Sequence, residues 1–206
     1  MVEAISGELD LAHLLRKVIA SAVELLDAAC GLVYLREPGS DVAHCKAVHN
    51  LPDTLLGLEI RRGGPGMTGR VLETGETVAL DRYGEVPVPM PELQVLAEAP
   101  AVCVPIWWQR EVIGTFAINA RDHRRRFDAR DVEALSLFAK HAGIAIENAR
   151  LYAAVRRTER QTGTILDMTR ALGASLNLDE VLQRAVTALA AATGVLDCAL
   201  YLLDAA

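Results

Sequence analysis

Gly64, Gly66 and Gly69 fall in the spacing G-x-G-x-x-G, and Asp81 stands downstream of them. In a dinucleotide site such glycines turn the chain tightly and admit a pyrophosphate to the backbone at a helix N-terminus, while a later acid holds the ribose. The following helix, Arg70 to Thr74, is too short for a parallel βαβ crossover, which takes about a dozen residues or more. Two readings stay open. Either the N-terminus at Gly66 to Gly69 meets an anionic ligand group with backbone N–H donors, or the glycines only shape a turn.

The other reactive side chains are dispersed. Cys30, Cys45, Cys103 and Cys198 form no CxxC pair, and the five histidines are scattered; His44 and His49, five apart, face opposite ways on one strand. No nucleophile elbow, Walker loop or zincin motif is present. No catalytic residue, metal site or cofactor is assigned, and the chain is not expected to be an enzyme. Cys103, inside an apolar run, reads as a small core residue. All four cysteines are expected as free thiols in a cytoplasmic protein. The run Arg124, Arg125, Arg126 reads as a solvated loop, and the net charge of −6 argues against a nucleic-acid partner. Glu3 and Glu8 interrupt the N-terminus, which argues against a signal peptide. Ala185 to Leu203 is nearly apolar, but Thr187, Thr193, Gly194 and Asp197 break it, so no membrane span is expected.

The elements that must position these residues follow from spacing. Asp10 is the expected N-cap of a helix with the stripe Leu11, Leu14, Leu15, Val18, Ala22, Leu25 and Leu26, and Gly31 follows its end. Leu32 to Leu35 reads as a buried strand, turning at Pro38 to Asp41 into a second strand, Val42 to Val48. Pro52 to Leu56 suits a short helix. Pro65 sets up another over Gly66 to Thr74 that Gly75 closes. After the short strand Thr77 to Leu80, the stretch Arg82 to Pro100 carries four prolines and reads as a loop with a helical turn or two near Glu92 to Ala97. Ala101 to Trp108 and Glu111 to Asn119 form a hairpin about Gln109 and Arg110.

Asp128 caps the last helix, with Asp131 favouring its positive end. No proline follows Pro105, so the helix is expected to reach Leu172, about 67 Å at 1.5 Å per residue. Leu137, Ile144, Leu151, Thr158, Ile165 and Leu172 recur every seven residues, interleaved with His141, Asn148, Val155, Thr162 and Thr169. Such a heptad marks a coiled coil whose polar positions fix register at a cost in stability. An internal repeat accompanies it. A shift of 167 residues lays Ala4 to Glu37 over Ala171 to Asp204, matching Leu9, Leu11, Leu15, Tyr34 and Leu35 with Leu176, Leu178, Leu182, Tyr201 and Leu202.

The runs GGPGMTGRVLETGETVALD, VPIWWQREVIGTFAIN and FDARDVEALSLFAKHAGIAIENARLY together resemble a GAF domain over about residues 6–152, with a second copy opening near Leu172. The resemblance implies an α/β (α+β) fold: a six-stranded antiparallel sheet with helices on both faces, a pocket beneath loops, a long C-terminal helix, and dimerisation through terminal helices. The expected organisation is a core at 1–127, a connecting helix at 128–172, and the truncated start of a second domain at 173–206. Cyclic-nucleotide-binding GAF domains carry an Asn-Lys, Phe, Asp-Glu signature; this chain matches at Asn119, Phe127 and Asp131, with Ala120 and Val132 in place of the lysine and glutamate. That departure argues against a cyclic nucleotide, and the resemblance names no ligand.

The function these readings imply is a sensory or regulatory input module of a signal-transduction protein, as in sensor histidine kinases. It binds a small molecule, dimerises, or both, and relays a conformational change through the long helix to an output domain missing from this chain. The alternatives are a GAF-type thiol-dependent methionine sulfoxide reductase and a dimerisation scaffold without ligand. Met67, Arg70, Asp81, Cys103, Trp107 and Thr115 are the candidate ligand residues, between the sheet and the segments Gly63 to Thr74 and Asp81 to Ala99. Ile144, Asn148, Leu151, Val155, Ile165 and Leu172 are the candidate homodimer residues.

Overall fold

The computed structural model describes residues 2–173, 178–194 and 199, with side chains placed for 11–152, 154–155, 182–194 and 199. Met1–Arg150 form one compact unit and Leu151–Ala206 a second. In chain order the elements are α1 (Val2–Leu25), β1 (Ala28–Arg36), β2 (Val42–His49), β3 (Glu59–Arg61), α2 (Gly66–Thr74), β4 (Val78–Leu80), β5 (Ala101–Trp108), β6 (Glu111–Ala120), α3 (Ala129–Gly173) and α4 (Leu178–Thr193). Short 3-10 turns occupy Asp53–Leu55, Tyr83–Glu85 and Pro91–Leu96.

The strands make one six-stranded antiparallel sheet in the order β3-β2-β1-β6-β5-β4. Strand alternation gives the sheet two apolar faces, and each is covered. On one, Val33, Leu35, Val104, Ile106, Phe116 and Ile118 pack against Leu15, Ile19 and Ala22 of α1 and Leu135, Ala139, Ala142 and Ile146 of α3. On the other, Leu32, Tyr34, Cys45 and Cys103 lie beneath Met67, Val71 and Leu72 of α2 and beneath Tyr83, Val86, Met90 and Leu93 of the proline-rich loop. Helices therefore flank both faces.

Several expectations are corrected. Asp10 lies inside α1 and does not cap it, because the preceding segment holds no proline and carries the helix formers Glu3, Ala4, Glu8 and Leu9. Gly31 follows the end of α1, but as part of β1 and not as a cap. The helix closes at Leu25, and Asp27 takes the left-handed conformation at φ 44° that frees the chain, as aspartate tolerates. Gly31 instead pairs with Ile118 within β1. That strand begins four residues earlier than Leu32, since cover on both faces removes the alternation that would have marked it. β3 was not anticipated; its three residues are too few to show a period, yet Ile60 is buried and the strand pairs Val42, Ala43 and His44.

The long helix runs for 45 residues, close to its expected bounds. Within the second unit α4 spans 16 residues. Cys198, and Leu176, Tyr201 and Leu202 of the expected repeat, lie outside the described residues.

Candidate functional site

The glycine run builds a turn, and the amides of Gly63, Gly64 and Gly66 are already used. Gly63 N–H donates to Gly69 O at 2.9 Å, Gly64 N–H to Arg61 O at 2.9 Å and Gly66 N–H to Val88 O at 2.7 Å. Gly69 has to be glycine, because a Cβ there would lie 2.1 Å from Gly64 O. Turn formation accounts for Gly64 and Gly69, and of the donors at Gly66 to Gly69 the Gly66 amide is occupied internally. Gly75 closes α2 in the left-handed conformation at φ 70° and donates to Val71 O.

The loop that follows is strapped down over α2. Tyr83 and Gly84 donate N–H groups to Ala99 O and Ala97 O, and the Tyr83 hydroxyl accepts the Met90 N–H at 3.2 Å. Burial pushes the Tyr83 phenol above its ordinary value. The space between sheet and loop is occupied by side chains, among them Tyr34, Met67, Tyr83, Met90 and Cys103, each at most 6 % exposed. What remains open lies to the side. A cleft of about 230 Å³ runs between the glycine turn, α2, β4 and Val86 to Val88 of the loop, with Met67 and Arg70 on its wall.

The six ligand candidates thus fall in four places. Met67 and Arg70 share the cleft. Cys103 and Thr115 are fully buried beneath α2, where the Thr115 hydroxyl donates to the Thr68 hydroxyl at 3.5 Å. Asp81 is exposed and paired with Arg126 at 2.6 Å. Trp107 lies against Gly75 and lines a separate groove with Lys140 and Ile144, and across a register shift in the hairpin it pairs with Val112. The cleft residues missed from the sequence include Glu73, whose spacing of three from Arg70 on α2 was the available signal.

The described thiols are free and buried. Loss of solvation pushes Cys103 and Cys45 up to about 12 and Cys30 up to about 11, with hydrogen bonds pulling weakly the other way. All three are held as thiols at neutral pH, which disfavours nucleophilic chemistry. Among the described residues no cluster of three histidine, cysteine or acidic side chains is placed to hold a metal ion.

The GAF domain family matches residues 8–147, well over half the chain. This chain belongs to that family. The dual 3',5'-cyclic-AMP and -GMP phosphodiesterase 11A of Takifugu rubripes is 30 % identical over 185 residues, covering 84 % of this chain and 20 % of the relative. The chain therefore spans about a fifth of that enzyme's length. Among solved structures, the GAF domain from a phosphoenolpyruvate-protein phosphotransferase of Coxiella burnetii superposes with a TM-score of 0.62 at 23 % identity, over 70 % of this chain and 86 % of that one. A free methionine-R-sulfoxide reductase of Neisseria meningitidis superposes with a TM-score of 0.58 at 20 % identity, over 69 % and 81 %. These two likenesses concern the fold.

GAF domains are signalling and sensory modules. In this GAF domain the three residues that match the cyclic-nucleotide signature do not converge on the cleft. Asn119 is buried in β6 opposite Cys30 and Ala101, with its Nδ2 unpartnered. Phe127 packs against the α1–α3 side of the core, and Asp131 is tied to the start of α3. No described helix is long and apolar enough to cross a membrane.

Proposed function

We propose that this chain is the input module of a signalling protein: its GAF domain reads a small molecule, two copies pair along α3, and the helix carries the change to an output domain. The observation that carries this reading is a second, uncovered face of α3. Leu135, Ala139, Ala142 and Ile146 are buried against the sheet, whereas Leu137, His141, Ile144 and Asn148, at heptad spacing, face solvent. Leu137 is 57 % and Ile144 46 % exposed. Between α1 and α3 the same side carries a groove of about 320 Å³ lined by Val18, Leu137 and Phe138. In the second unit Leu151 and Val155 are exposed as well. Ile165 and Leu172 continue the spacing, but their side chains lie outside the described residues.

An isolated globular domain gains nothing from a heptad of exposed apolar residues, and a partner helix can bury it. The relay needs a ligand that prefers one arrangement of the paired helices, since equal affinity for both shifts nothing. A cytoplasmic two-component histidine kinase is one host that fits. The organisation in this reading is a GAF core at 1–127, a connecting helix at 128–172 and the start of a second GAF domain at 173–206. The buried, protonated thiols favour this reading over a thiol-dependent reductase.

Sedimentation equilibrium tests it. The wild-type chain is expected to be dimeric at tens of micromolar, and Leu151→Glu or Ile144→Glu to weaken association without loss of helicity. A monomeric wild type, or unchanged association in both variants, would remove α3 as the dimer contact and as the route for the signal.

A further inference from the structure

The cleft beside α2 has an uneven distribution of charge that narrows what it can hold. Met67, Arg70 and Glu73 follow one another at i, i+3 and i+6, so one stripe of α2 faces the cleft. Val71 and Leu72 turn the other way, into the sheet-side core. The apolar wall is completed by Val78 and Val86. Arg70 and Glu73 carry opposite charges at a spacing that usually pairs them, yet neither takes part in an ion pair among the described residues. The other acid at the rim, Glu85, is already held by Arg82 at 3.1 Å. The Glu73 carboxylate lies over the glycine turn, 3.3 Å from where a Gly63 Cβ would sit.

An anion in this cleft finds a single unpaired guanidinium. The amides of Gly63, Gly64 and Gly66 donate to Gly69, Arg61 and Val88 carbonyls. A volume of about 230 Å³ is small for a nucleotide. A ligand with one carboxylate, one ammonium group and a short apolar body meets each feature once: carboxylate on Arg70, ammonium at Glu73, side chain along Met67, Val78 and Val86.

The geometry points to a free α-amino acid with an apolar side chain as the ligand of this cleft. The assignment rests on the reading of the chain as a small-molecule input module, and it names the chemical class that module reads.

Isothermal titration of the full chain with L-leucine and L-methionine tests it, alongside 4-methylpentanoate, which lacks the ammonium group, 3-methylbutylamine, which lacks the carboxylate, and cyclic AMP. Expected is saturable binding of at least one amino acid, with each truncated analogue weaker by about tenfold or more. Arg70→Ala and Glu73→Gln, both at exposed positions, should each weaken binding by a similar factor at unchanged melting temperature. Amide shifts on titration should centre on Gly63 to Glu73. Binding of the acid or the amine as tightly as of the amino acid would overturn the zwitterion, as would amino-acid binding indifferent to both substitutions. Binding of cyclic AMP alone would overturn the ligand class while leaving a small-molecule input module standing. No binding by any probe to a chain that sediments as an α3 dimer would overturn the cleft assignment and leave the dimeric relay without this cue.

Discussion

Arg125 Nη2 lies 3.0 Å from Asp131 Oδ1, so the loop before α3 is bonded to the first turn of α3 itself. The same guanidinium stacks over the Phe127 ring at 5.2 Å and donates to the carbonyl of Leu26, just past the end of α1. One side chain thus ties the C-terminus of α1 to the N-terminus of α3, the two helices that cover one face of the sheet. Arg125→Ala should destabilise the first unit by about 1–3 kcal/mol, because it leaves a partly buried carboxylate and a carbonyl without their partner. Arg125→Lys should recover part of the loss, since an ammonium cannot span all three contacts. Urea unfolding measures both; a loss below about 0.5 kcal/mol for the alanine variant would class the contact with ordinary surface pairs.

The start of α3 contains a reciprocal cap. Asp128 Oδ1 accepts the N–H groups of Arg130 and Asp131, and Asp131 Oδ2 accepts the Asp128 N–H. The N–H of Asp131 holds the Asp128 carboxyl below its ordinary value. A depressed folded value means that the unfolded state binds more protons at acid pH, so the contribution is present above 3.8 and fades as pH falls through the folded value. Asp128→Ala should lower Tm at neutral pH by roughly 2–4 °C. Asp128→Asn should retain most of the cap and flatten this part of the acid limb. Thermal melts across the acid range check both, and equal acid limbs in the wild type and the asparagine variant would refute the charge dependence.

Thiol chemistry gives an independent test at the opposite pH. Cys30, Cys45 and Cys103 are pushed up from 9.0 to about 11, 12 and 12 by burial. The folded state keeps these protons where the unfolded chain has lost them. Stability should therefore be unaffected by them below 9.0 and should decline as pH rises from there towards about 12. Native protein at about pH 8 should react with a thiol reagent at Cys30, Cys45 and Cys103 only on the timescale of unfolding. Rapid labelling of any of the three, mapped by mass spectrometry, would show an accessible thiolate and reopen the reductase reading.

The extent to which the sequence foretold these features varied with the range of the interaction behind each. α2, its glycine C-cap, the β5–β6 hairpin and the whole of α3 rest on local chemistry: Pro65, Gly75, Gln109 with Arg110, and an unbroken heptad without proline. β3 was missed because three residues show no period, and Asp10 misled because a cap signal is outvoted when helix formers precede it. The candidate site divided for a non-local reason. Cys103 and Trp107 sit four residues apart in β5, but α2 covers the first and ends beside the second at Gly75. No pattern within β5 records where α2 stops. The spacing of Glu73 from Arg70 is legible in the sequence, but such a pair reads as an ordinary surface ion pair until the two side chains are seen to remain apart at the cleft.

Asn148 offers the sharpest test of the proposed dimer, because substitution there should strengthen it. Asn148 is exposed and falls between Ile144 and Leu151 in the heptad spacing of α3. In a paired seam an amide at such a position gives up packing energy and keeps the association weak enough to respond to a change in the domain. Asn148→Leu replaces it with a side chain that packs against its counterpart, and the dimer dissociation constant should fall by about tenfold or more. The first unit should keep its stability, since the exposed Asn148 is not part of the core that holds Leu135, Ala139, Ala142 and Ile146. Sedimentation equilibrium over a dilution series reads the constant directly, and urea unfolding of the Leu151→Glu background reads the stability of the unpaired chain. An unchanged dissociation constant would place Asn148 outside the interface, and a raised one would mean that its amide makes a favourable bond across the seam, in which case the polar positions of α3 hold the pair together and do not loosen it.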